Sequence, residues 1–313
     1  MSSPNWEAIW SILTCPYCGG ELLRFFAGAK CAKCAKCDER FPLTENGQLD
    51  LRLRRTKEVL VKFSLGQRQE KTNIVLEGLH DNPTPNVNFK NMTATKRLTR
   101  EMLSYFPASQ GGLILDLGCG DELVTVHREN CERAGFRYVG VDVSSSKADI
   151  LADAHALPFK DASFEAILSL AVFEHIQYPF IAANEAHRVL KEGGTFFGTV
   201  AFLEPFHGSY GSFYNHSWMG TANVLEFAGF EVERIAPERA WSGLVALAEM
   251  GLFPHLPITI SKTLIFPLSV LHRAYFKIGN LLLHHELTTE EYRLLSTTGA
   301  FFFLASKRRS LLV

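Results

Sequence analysis

Residues 113–142 read LILDLGCGDELVTVHRENCERAGFRYVGVD and have the pattern of a buried strand, a helix and a second strand that ends at Asp142. The alternation continues toward the C-terminus. Further strands are predicted at 150–152, 164–170, 195–201, 230–235 and 300–306, and further helices at 180–191 and 217–228. The glycine pair at 193–194 is expected to end the first of these helices. Strands joined by helical crossovers predict an α/β fold with a doubly wound, mostly parallel sheet of seven strands.

The turn after the first strand contains Gly118 and Gly120, which let the backbone approach a ligand where a side chain would clash. In open α/β sheets the ligand lies at the carboxyl ends of the strands. Asp142 ends the second strand at this edge, and its carboxylate can accept hydrogen bonds from both hydroxyls of a ribose. These residues predict a nucleoside-containing ligand and leave nicotinamide, flavin and S-adenosylmethionine open.

Three later segments narrow the choice: DAHALPFKDASFEAI at 153–167, LSLAVFEHI at 168–176 and RVLKEGGTFF at 188–197. With the first unit, they resemble a class I S-adenosylmethionine-dependent methyltransferase of the small-molecule, ubiquinone/menaquinone-type branch, over roughly residues 95–235 with the last strand near 300. The resemblance implies a Rossmann-like fold and S-adenosylmethionine as cofactor. It assigns the methionine end to Asp116, Gly118 and Gly120, the ribose to Asp142, the adenine edge to Asp153 and Ala154, and the sulfonium to Ser169.

Two positions depart from the family pattern. Glu122 stands where the family loop usually has a third glycine, and SSSKA at 144–148 is too short for the usual helix between strands two and three. A dehydrogenase would share the glycines and Asp142 but is not expected to carry the later motifs.

Five of the seven cysteines fall within residues 15–37, in the runs CPYCGG and CAKCAKC. Cysteines two residues apart can direct both thiolates at one ion, and two such pairs close a tetrahedral site that suits zinc. A disulfide framework is disfavoured, because the number is odd and no secretion signal is visible. The spacing leaves two choices open for the second pair after Cys15 and Cys18, namely Cys31 with Cys34 or Cys34 with Cys37.

The following segment, DERFPLTENGQLDL at 38–51, resembles the small zinc-ribbon activator subunit of tRNA methyltransferases. In that family an aromatic-proline step and a glycine-containing turn follow the second cysteine pair, here Phe41-Pro42 and Gly47. The resemblance implies a structural zinc ion bound by Cys15, Cys18, Cys34 and Cys37, with Cys31 as a bystander. A regulatory module built around this lobe is an alternative to an enzyme.

These patterns divide the chain into a zinc-ribbon lobe at 1–55, a linker and helical approach at 56–110, and a methyltransferase domain at 111–313 with an apolar insertion at about 240–296. The run 52–71 is basic and is expected to be a solvated helix face. The most apolar stretch, 252–285, is interrupted by basic residues. It fits core packing, a lid, a dimer surface or a peripheral membrane contact.

Overall composition limits the class of partner. The chain has 32 Lys+Arg and 33 Asp+Glu, a formal net charge of −1, which favours a small-molecule partner over a nucleic acid. No apolar window of about 18 residues is free of charge, so we do not expect a membrane-spanning helix. We expect a cytoplasmic protein.

Two loops at the carboxyl edge of the sheet carry the candidates for handling the acceptor. Glu174 and His175 follow the fourth strand, and the loop at 204–216 is rich in His and Tyr. We rank His207 first and His175 second as the catalytic base. The predicted function is methyl transfer to a small-molecule, glycan or lipid-intermediate acceptor. The alternative is a ribosomal RNA guanine methyltransferase that uses the zinc lobe to recognise RNA. The atom methylated and the oligomeric state stay open.

Overall fold

The computed structural model describes residues 6–24, 31–59, 103–207, 211–238, 241–283 and 289–308. The strands are β1 (Leu22–Leu23), β2 (Cys31–Cys34), β3 (Arg40–Pro42), β4 (Leu49–Asp50), β5 (Leu113–Leu117), β6 (Arg137–Asp142), β7 (Ile150–Leu151), β8 (Phe164–Leu170), β9 (Leu190–Ala201), β10 (Phe230–Pro237) and β11 (Ala300–Lys307). Residues 60–102, which include most of the predicted linker, lie outside the described ranges.

The helices are α1 (Trp6–Ile12), α2 (Val124–Arg133), α3 (Pro179–Val189), α4 (Trp218–Phe227), α5 (Gly243–Ala246), α6 (Ile258–Leu283) and α7 (Glu290–Thr297). Short 3-10 helices span Ala154–Ala156 and Phe173–His175, and a π-helical turn spans Leu247–Leu252. The segment between β6 and β7 forms turns and bends rather than a helix, as its length predicts.

Eight strands form the main sheet, in the order β10-β11-β9-β8-β5-β6-β7-β4. β11 runs antiparallel to both its neighbours, and the other strand pairs are parallel. Helices follow the parallel strands as crossovers, and β5 lies in the middle, where the winding of the chain reverses. This is the doubly wound, Rossmann-like arrangement of class I methyltransferases, so the predicted fold class is confirmed.

The eighth strand comes from the N-terminal lobe. Leu49 and Asp50 pair in parallel with Ile150 and Leu151, which adds β4 to the edge of the seven predicted strands. A two-residue strand has no recognisable hydrophobic period, so the sequence alone did not predict this pairing. The remainder of the lobe forms a separate antiparallel sheet in the order β1-β2-β3.

The lobe and the larger domain share one apolar core. Leu13 forms an antiparallel bridge with Phe159, and both side chains are buried in the same cluster that contains Leu115 and Phe196 of the main sheet. Burial of apolar surface is the main favourable term in folding, so the two parts stabilise each other across this boundary. The lobe is therefore packed into the fold rather than tethered to it.

A buried carboxylate reinforces the junction. Asp50 is 3% exposed and accepts hydrogen bonds from the side chains of Arg52 and Arg54 at 2.7–2.9 Å. Burial alone would raise the pKa of Asp50, but these hydrogen bonds and the arginine charges outweigh it and lower the pKa to about 2 from the ordinary 3.8. Arg52 also donates to the carbonyl of Val143, on the loop after β6.

We expect Asp50→Asn to lower the free energy of unfolding by about 2 kcal/mol at pH 7, the scale of that pKa difference. Because the folded-state pKa is depressed, this stabilisation is complete above about pH 4 and is lost as the pH falls toward 2. Urea unfolding of the wild type and the variant at several pH values checks this. The exposed Asp161→Asn is the control, and a stability gap that does not change between pH 7 and pH 3 would contradict the assignment.

One predicted boundary was wrong. The helix at 180–191 was expected to end at the glycine pair 193–194, but α3 ends at Val189 and the strand begins at Leu190. The pairing of β8 with β9 is irregular here, and Gly193 has a φ of 74°. A Cβ on Gly194 would lie 2.9 Å from the carbonyl oxygen of Glu165. The glycines therefore serve an irregular strand pairing rather than a helix end.

Candidate functional site

A cavity of about 600 Å³ opens at the carboxyl ends of β5, β6 and β8, the edge where the sequence predicts a ligand. Its wall comes from the loop after β5, the end of β6 with the turn that follows, the 3-10 helix at 154–156 and the segment after β8. The predicted cofactor residues among the lining are Asp116, Gly118, Gly120, Asp142, Asp153 and Ala154.

The loop after β5 keeps its shape through the two glycines. Gly118 and Gly120 have φ values of 74° and 59°, which side chains rarely adopt. A Cβ on Gly118 would also lie 2.5 Å from the Cγ2 atom of Val172 across the cavity wall. A larger residue at 118 would thus displace the segment after β8, whereas Gly120 faces open space.

Asp142 holds two loops at the cavity floor. Its Oδ2 accepts a hydrogen bond from the backbone N–H of Gly120 at 3.0 Å, and its Oδ1 accepts from the N–H groups of Ser144 and Ser145 at 2.8 and 3.0 Å. The Ser144 hydroxyl also donates to Oδ1, at 3.3 Å, so the acceptor capacity that remains for a ligand hydroxyl lies on Oδ2, which has one donor. Asp142 thus shapes the glycine loop in addition to facing the cavity.

The N-terminal lobe supports the same turn. The side-chain amide of Gln48 donates to the backbone carbonyls of Ser145 and Ala148, and the Ser145 hydroxyl donates to the carbonyl of Gly120. Gln48 and Ser145 are both buried. A hydrogen-bonded path therefore runs from beside β4, through residues 145–148, to the glycine loop.

Asp116 is 1% exposed and lies under the glycine loop. It accepts a hydrogen bond from the hydroxyl of Tyr138, and His127 Nδ1 lies 3.0 Å from the same carboxylate oxygen. Burial, together with the charge of Asp116, raises the pKa of Tyr138 well above its ordinary value, so the phenol stays protonated as a donor. Tyr138 and His127 therefore hold the side chain of Asp116 in place beneath the glycine loop.

The cavity is acidic. Five carboxylates line it, those of Asp116, Asp121, Glu122, Asp142 and Asp153, whereas none of the described residues in its wall is Lys or Arg. A wall of this charge favours a ligand with cationic groups, such as an ammonium or a sulfonium. It disfavours the pyrophosphate of a nicotinamide dinucleotide. Glu122, the departure from the glycine pattern, lies in this wall.

His155 is a site residue that the sequence reasoning missed. Its Nε2 accepts a hydrogen bond from the backbone N–H of Tyr178, so its Nδ1 carries the proton and donates to Asp153 Oδ1 at 2.6 Å. Burial alone would raise the pKa of Asp153, but the hydrogen bonds from His155 outweigh it and lower the pKa. The sequence offered one signal for this residue: His155 follows Asp153 by two positions, in the segment that forms the 3-10 helix.

Ser169, which the resemblance places near the sulfonium, is fully buried and does not belong to the cavity lining. Side chains alternate between the two faces of a strand, and the next residues, Leu170 and Ala171, form that part of the wall. Leu170 and Ala171, rather than Ser169, therefore face the cavity at the end of β8.

The two candidate bases lie side by side. The rings of His175 and His207 are 5.0 Å apart, centroid to centroid. Only His175 lines the cavity. Its Nδ1 lies 2.6 Å from the carbonyl oxygen of Gly211, which can only accept, so Nδ1 carries the proton and Nε2 is left as an acceptor. The geometry therefore reverses the predicted ranking of His207 ahead of His175.

His207 is held by its own loop. Its Nδ1 donates to the carbonyl of Pro205, and its Nε2 lies 3.6 Å from Glu204 Oε2. Ligand atoms of Glu174, His175 and His207 lie within 4.8 Å of one another, a spacing that a divalent cation could also bridge.

Two other residues of the loop at 204–216 are held by contacts within the protein. His216 is buried among Phe173, Val200 and neighbouring apolar residues, and burial lowers its pKa. The hydroxyl of Tyr214 donates to the carbonyl of Gln177. Tyr210 lies outside the described residues.

The N-terminal lobe brings Cys15, Cys18, Cys34 and Cys37 together, with all four sulfurs within 4.8 Å of one another. Cys15 and Cys37 are 3.7 Å apart at sulfur, and Cys18 and Cys34 are 3.5 Å apart. A regular tetrahedron with metal–sulfur bonds of about 2.3 Å has sulfur–sulfur edges of about 3.8 Å. Cys31 does not belong to the cluster.

The two cysteine pairs have matching backbones. Gly19 and Asp38, each directly after the second cysteine of its pair, have φ values of 68° and 61°. In both pairs the residue after the second cysteine donates its N–H to the carbonyl of the first. A Cβ on Gly20 would lie 2.9 Å from the sulfur of Cys34, so the close approach of the two turns requires glycine there.

Comparisons with known proteins agree with this geometry. Residues 115–198 match the family model described as a methyltransferase domain. The chain is similar to 27-O-demethylrifamycin SV methyltransferase of Amycolatopsis mediterranei, with 33% identity over 116 residues that cover 32% of this chain and 43% of that protein. It is also similar to ubiquinone biosynthesis O-methyltransferase of Nitrosococcus oceani, with 28% identity over 130 residues that cover 36% of this chain and 53% of that protein.

The chain thus spans about half the length of the curated relatives it matches. Among solved structures, it is similar to Haemonchus contortus phosphoethanolamine N-methyltransferase 2 in complex with S-adenosyl-L-methionine. That similarity has a TM-score of 0.40 and 16% sequence identity, and it covers 66% of this chain and 51% of the other.

Proposed function

We propose that this chain, which carries a class I methyltransferase domain, transfers a methyl group from S-adenosylmethionine to an oxygen atom of a small-molecule acceptor. The observation that supports this most strongly is the acidic cavity at the glycine loop, with Asp142 at its floor and no Lys or Arg among the described lining residues. The similarity to two proteins whose names describe O-methylation or methylation of a demethylated natural product supports the acceptor class.

The residues of the cavity fit S-adenosylmethionine from end to end. Asp142 is placed to accept from ribose hydroxyls, and Asp153 with Ala154 to meet the adenine edge. The acidic residues of the loop after β5 suit the ammonium and sulfonium groups of this ligand, and no Lys or Arg among the described lining residues competes for them. When bound, S-adenosylmethionine supplies the activated methyl group.

On the acceptor side, His175 is the residue best placed to take a proton. Its Nδ1–H is fixed by the carbonyl of Gly211, which orients the ring and leaves Nε2 to accept the proton of an acceptor hydroxyl. Phe213, which is 50% exposed, also lines the cavity and offers an apolar contact to the body of the acceptor. A phenolic, quinol, glycan or lipid-intermediate hydroxyl fits this combination.

We expect His175→Ala to lower kcat by about 100-fold or more, the range of a lost general base, and to change S-adenosylmethionine affinity little. His207→Ala is expected to have a smaller effect, because that side chain does not line the cavity. Release of S-adenosylhomocysteine, measured with a panel of phenolic and quinol acceptors, checks both variants. Equal turnover by wild type and His175→Ala would remove His175 from the reaction.

Titration calorimetry with S-adenosylmethionine and with NAD tests the cofactor. We expect binding of the first and none of the second, because the acidic wall repels a pyrophosphate. Binding of NAD alone would support the dehydrogenase alternative and contradict the proposal.

The RNA alternative has less support. Within the described part of the basic run, Arg52 and Arg54 bind Asp50, and Arg55 binds Glu39 and lies over the ring of Tyr17. These arginines are engaged inside the protein and are not arranged for phosphate contacts.

We also propose that the four-cysteine cluster of the lobe holds a structural zinc ion. The sulfur–sulfur distances of 3.5 and 3.7 Å fit a tetrahedral thiolate site and are far from the 2.0 Å of a disulfide. Four protein ligands leave no open coordination position, so the ion would stabilise the lobe and take no part in methyl transfer.

A further inference from the structure

Helix α6 exposes an unusual amount of apolar surface. Six side chains spaced by three and four residues form a continuous row along one side, called here the apolar ridge: Leu264, Leu268, Leu271, Tyr275, Ile278 and Leu282. They are 49–71% exposed. Contiguous exposed apolar surface of this kind marks an interaction site in soluble proteins.

A side of α6 next to the apolar ridge attaches the helix to the rest of the protein. Ser261 and Ile265 are buried, and the helix contacts α5, the π-helical turn and α7. The ridge lies beside this attachment and is itself exposed. Core packing, one of the interpretations of this apolar segment, accounts for only one face of the helix.

The charge of the helix points to the kind of partner. Within residues 258–283 the charged side chains are Lys262, Arg273 and Lys277, all exposed, and the sequence has no Asp or Glu there. On a helical projection these three lie on one side, between the packed face and exposed apolar residues such as Val270. At about 100° per residue these three lie on the side opposite the apolar ridge, and a basic side opposite an apolar side is the pattern of a helix that lies in the interface of an anionic membrane.

A second copy of the helix fits the surface less well. The spacing of the ridge resembles a coiled-coil seam, but the flanking positions carry Ile265, His272 and Gly279 on one side and Pro267, Ala274 and Leu281 on the other. Coiled coils use charged pairs at these positions to select a partner, and Pro267 interrupts the regular helix. Exposed Val270 and Leu281 also widen the apolar surface beyond a seam.

We propose that α6 docks the protein onto the surface of a bilayer rich in anionic lipid, with the apolar ridge in the acyl-headgroup boundary and Lys262, Arg273 and Lys277 at the phosphates. The helix is about 39 Å long and lies along the surface. None of the helices in the described ranges has the length and apolarity to cross a bilayer, so the contact is peripheral. This inference does not depend on the proposed reaction.

Co-sedimentation of the full chain with vesicles tests the proposal. We expect binding to vesicles of phosphatidylglycerol and phosphatidylcholine in equal parts, and at least tenfold weaker binding to phosphatidylcholine alone. Leu271→Glu is expected to lower the partition coefficient at least tenfold, because it places a carboxylate in the apolar boundary. Arg273→Gln with Lys277→Gln is expected to lower it about fivefold per charge removed and to weaken its salt dependence.

Val126→Ser and Arg133→Gln, which change exposed residues on α2, are the matched controls and should bind like the wild type. Circular dichroism and calorimetry with S-adenosylmethionine on the same preparations separate a folding or cofactor defect from a membrane defect. Equal binding of Leu271→Glu and the wild type would overturn the proposal. A wild-type dimer that Leu271→Glu converts to a monomer, without binding to either vesicle, would also overturn it and assign the ridge to a second copy.

Discussion

Cys34→Ser is expected to abolish the proposed zinc binding and to unfold the N-terminal lobe. The sulfur of Cys34 is buried and lies 3.5 Å from that of Cys18, so the oxygen of serine cannot replace it as a ligand without loss of affinity. Structural zinc contributes about 10 kcal/mol or more in isolated small lobes. Here the core that the lobe shares with the main domain retains part of the packing. The expected loss of free energy of unfolding is therefore smaller than this value, but it is still the largest for any single substitution that we predict.

Cys31→Ser is the matched control, because Cys31 begins β2, the strand that ends at Cys34, but lies outside the four-sulfur cluster. Metal analysis should give one zinc per chain for the wild type and Cys31→Ser and none for Cys34→Ser. Thermal unfolding should show an early transition for Cys34→Ser alone. Zinc loss in Cys31→Ser with retention in Cys37→Ser would contradict the ligand set and favour the other pairing that the spacing allows.

The effect should reach the cofactor cavity. Gln48, which belongs to the lobe and directly precedes β4, donates hydrogen bonds to the carbonyls of Ser145 and Ala148. If the lobe unfolds, the turn that Asp142 caps loses this support. We therefore expect weaker S-adenosylmethionine binding in Cys34→Ser, which calorimetry can measure. Unchanged cofactor affinity in a zinc-free protein would show that the lobe and the cavity are independent.

Much of the architecture was predictable because the strands of a buried parallel sheet are nearly continuous apolar runs. The runs at 113–117 and 164–170 coincide with β5 and β8. The pairing of β4 with β7 was not predictable, because two residues carry no periodic signal and their partner lies about 100 positions away. The glycine pair at 193–194 was misinterpreted, because a helix end and an irregular strand pairing both favour glycine.

The candidate site was predictable where it lies on regular elements. Gly118, Gly120 and Asp142 lie at strand ends, whose positions follow from the topology. Ser169 lies outside the cavity lining, because the resemblance does not specify which face of the strand a side chain takes. The ranking of His175 and His207 as candidate bases depended on how a loop folds back onto the sheet. The contact between His175 and Gly211, which are 36 residues apart, has no local signal in the sequence.

Asp142→Ala is expected to weaken S-adenosylmethionine binding by about 10- to 100-fold while the protein stays folded. Part of the loss is the acceptor for the ribose hydroxyls, on the scale of about 1.5–3 kcal/mol for hydrogen bonds to a charged group. The structure adds a second part, because the carboxylate also accepts from the N–H groups of Gly120, Ser144 and Ser145. Its removal frees the glycine loop that shapes the cavity.

The two contributions can be separated with a ligand that lacks one hydroxyl. S-adenosylhomocysteine and its 2′-deoxyribose analogue, titrated into the wild type and Asp142→Ala, form a double-mutant cycle. If the carboxylate contacts the ribose, the wild type should discriminate between the two ligands and the variant should not. Asp161→Ala, which removes an exposed carboxylate outside the cavity lining, should behave as the wild type. If the wild type and Asp142→Ala discriminate equally between the two ligands, Asp142 supports the glycine loop but does not contact the ribose. If the two proteins bind both ligands with equal affinity, Asp142 does not belong to the site.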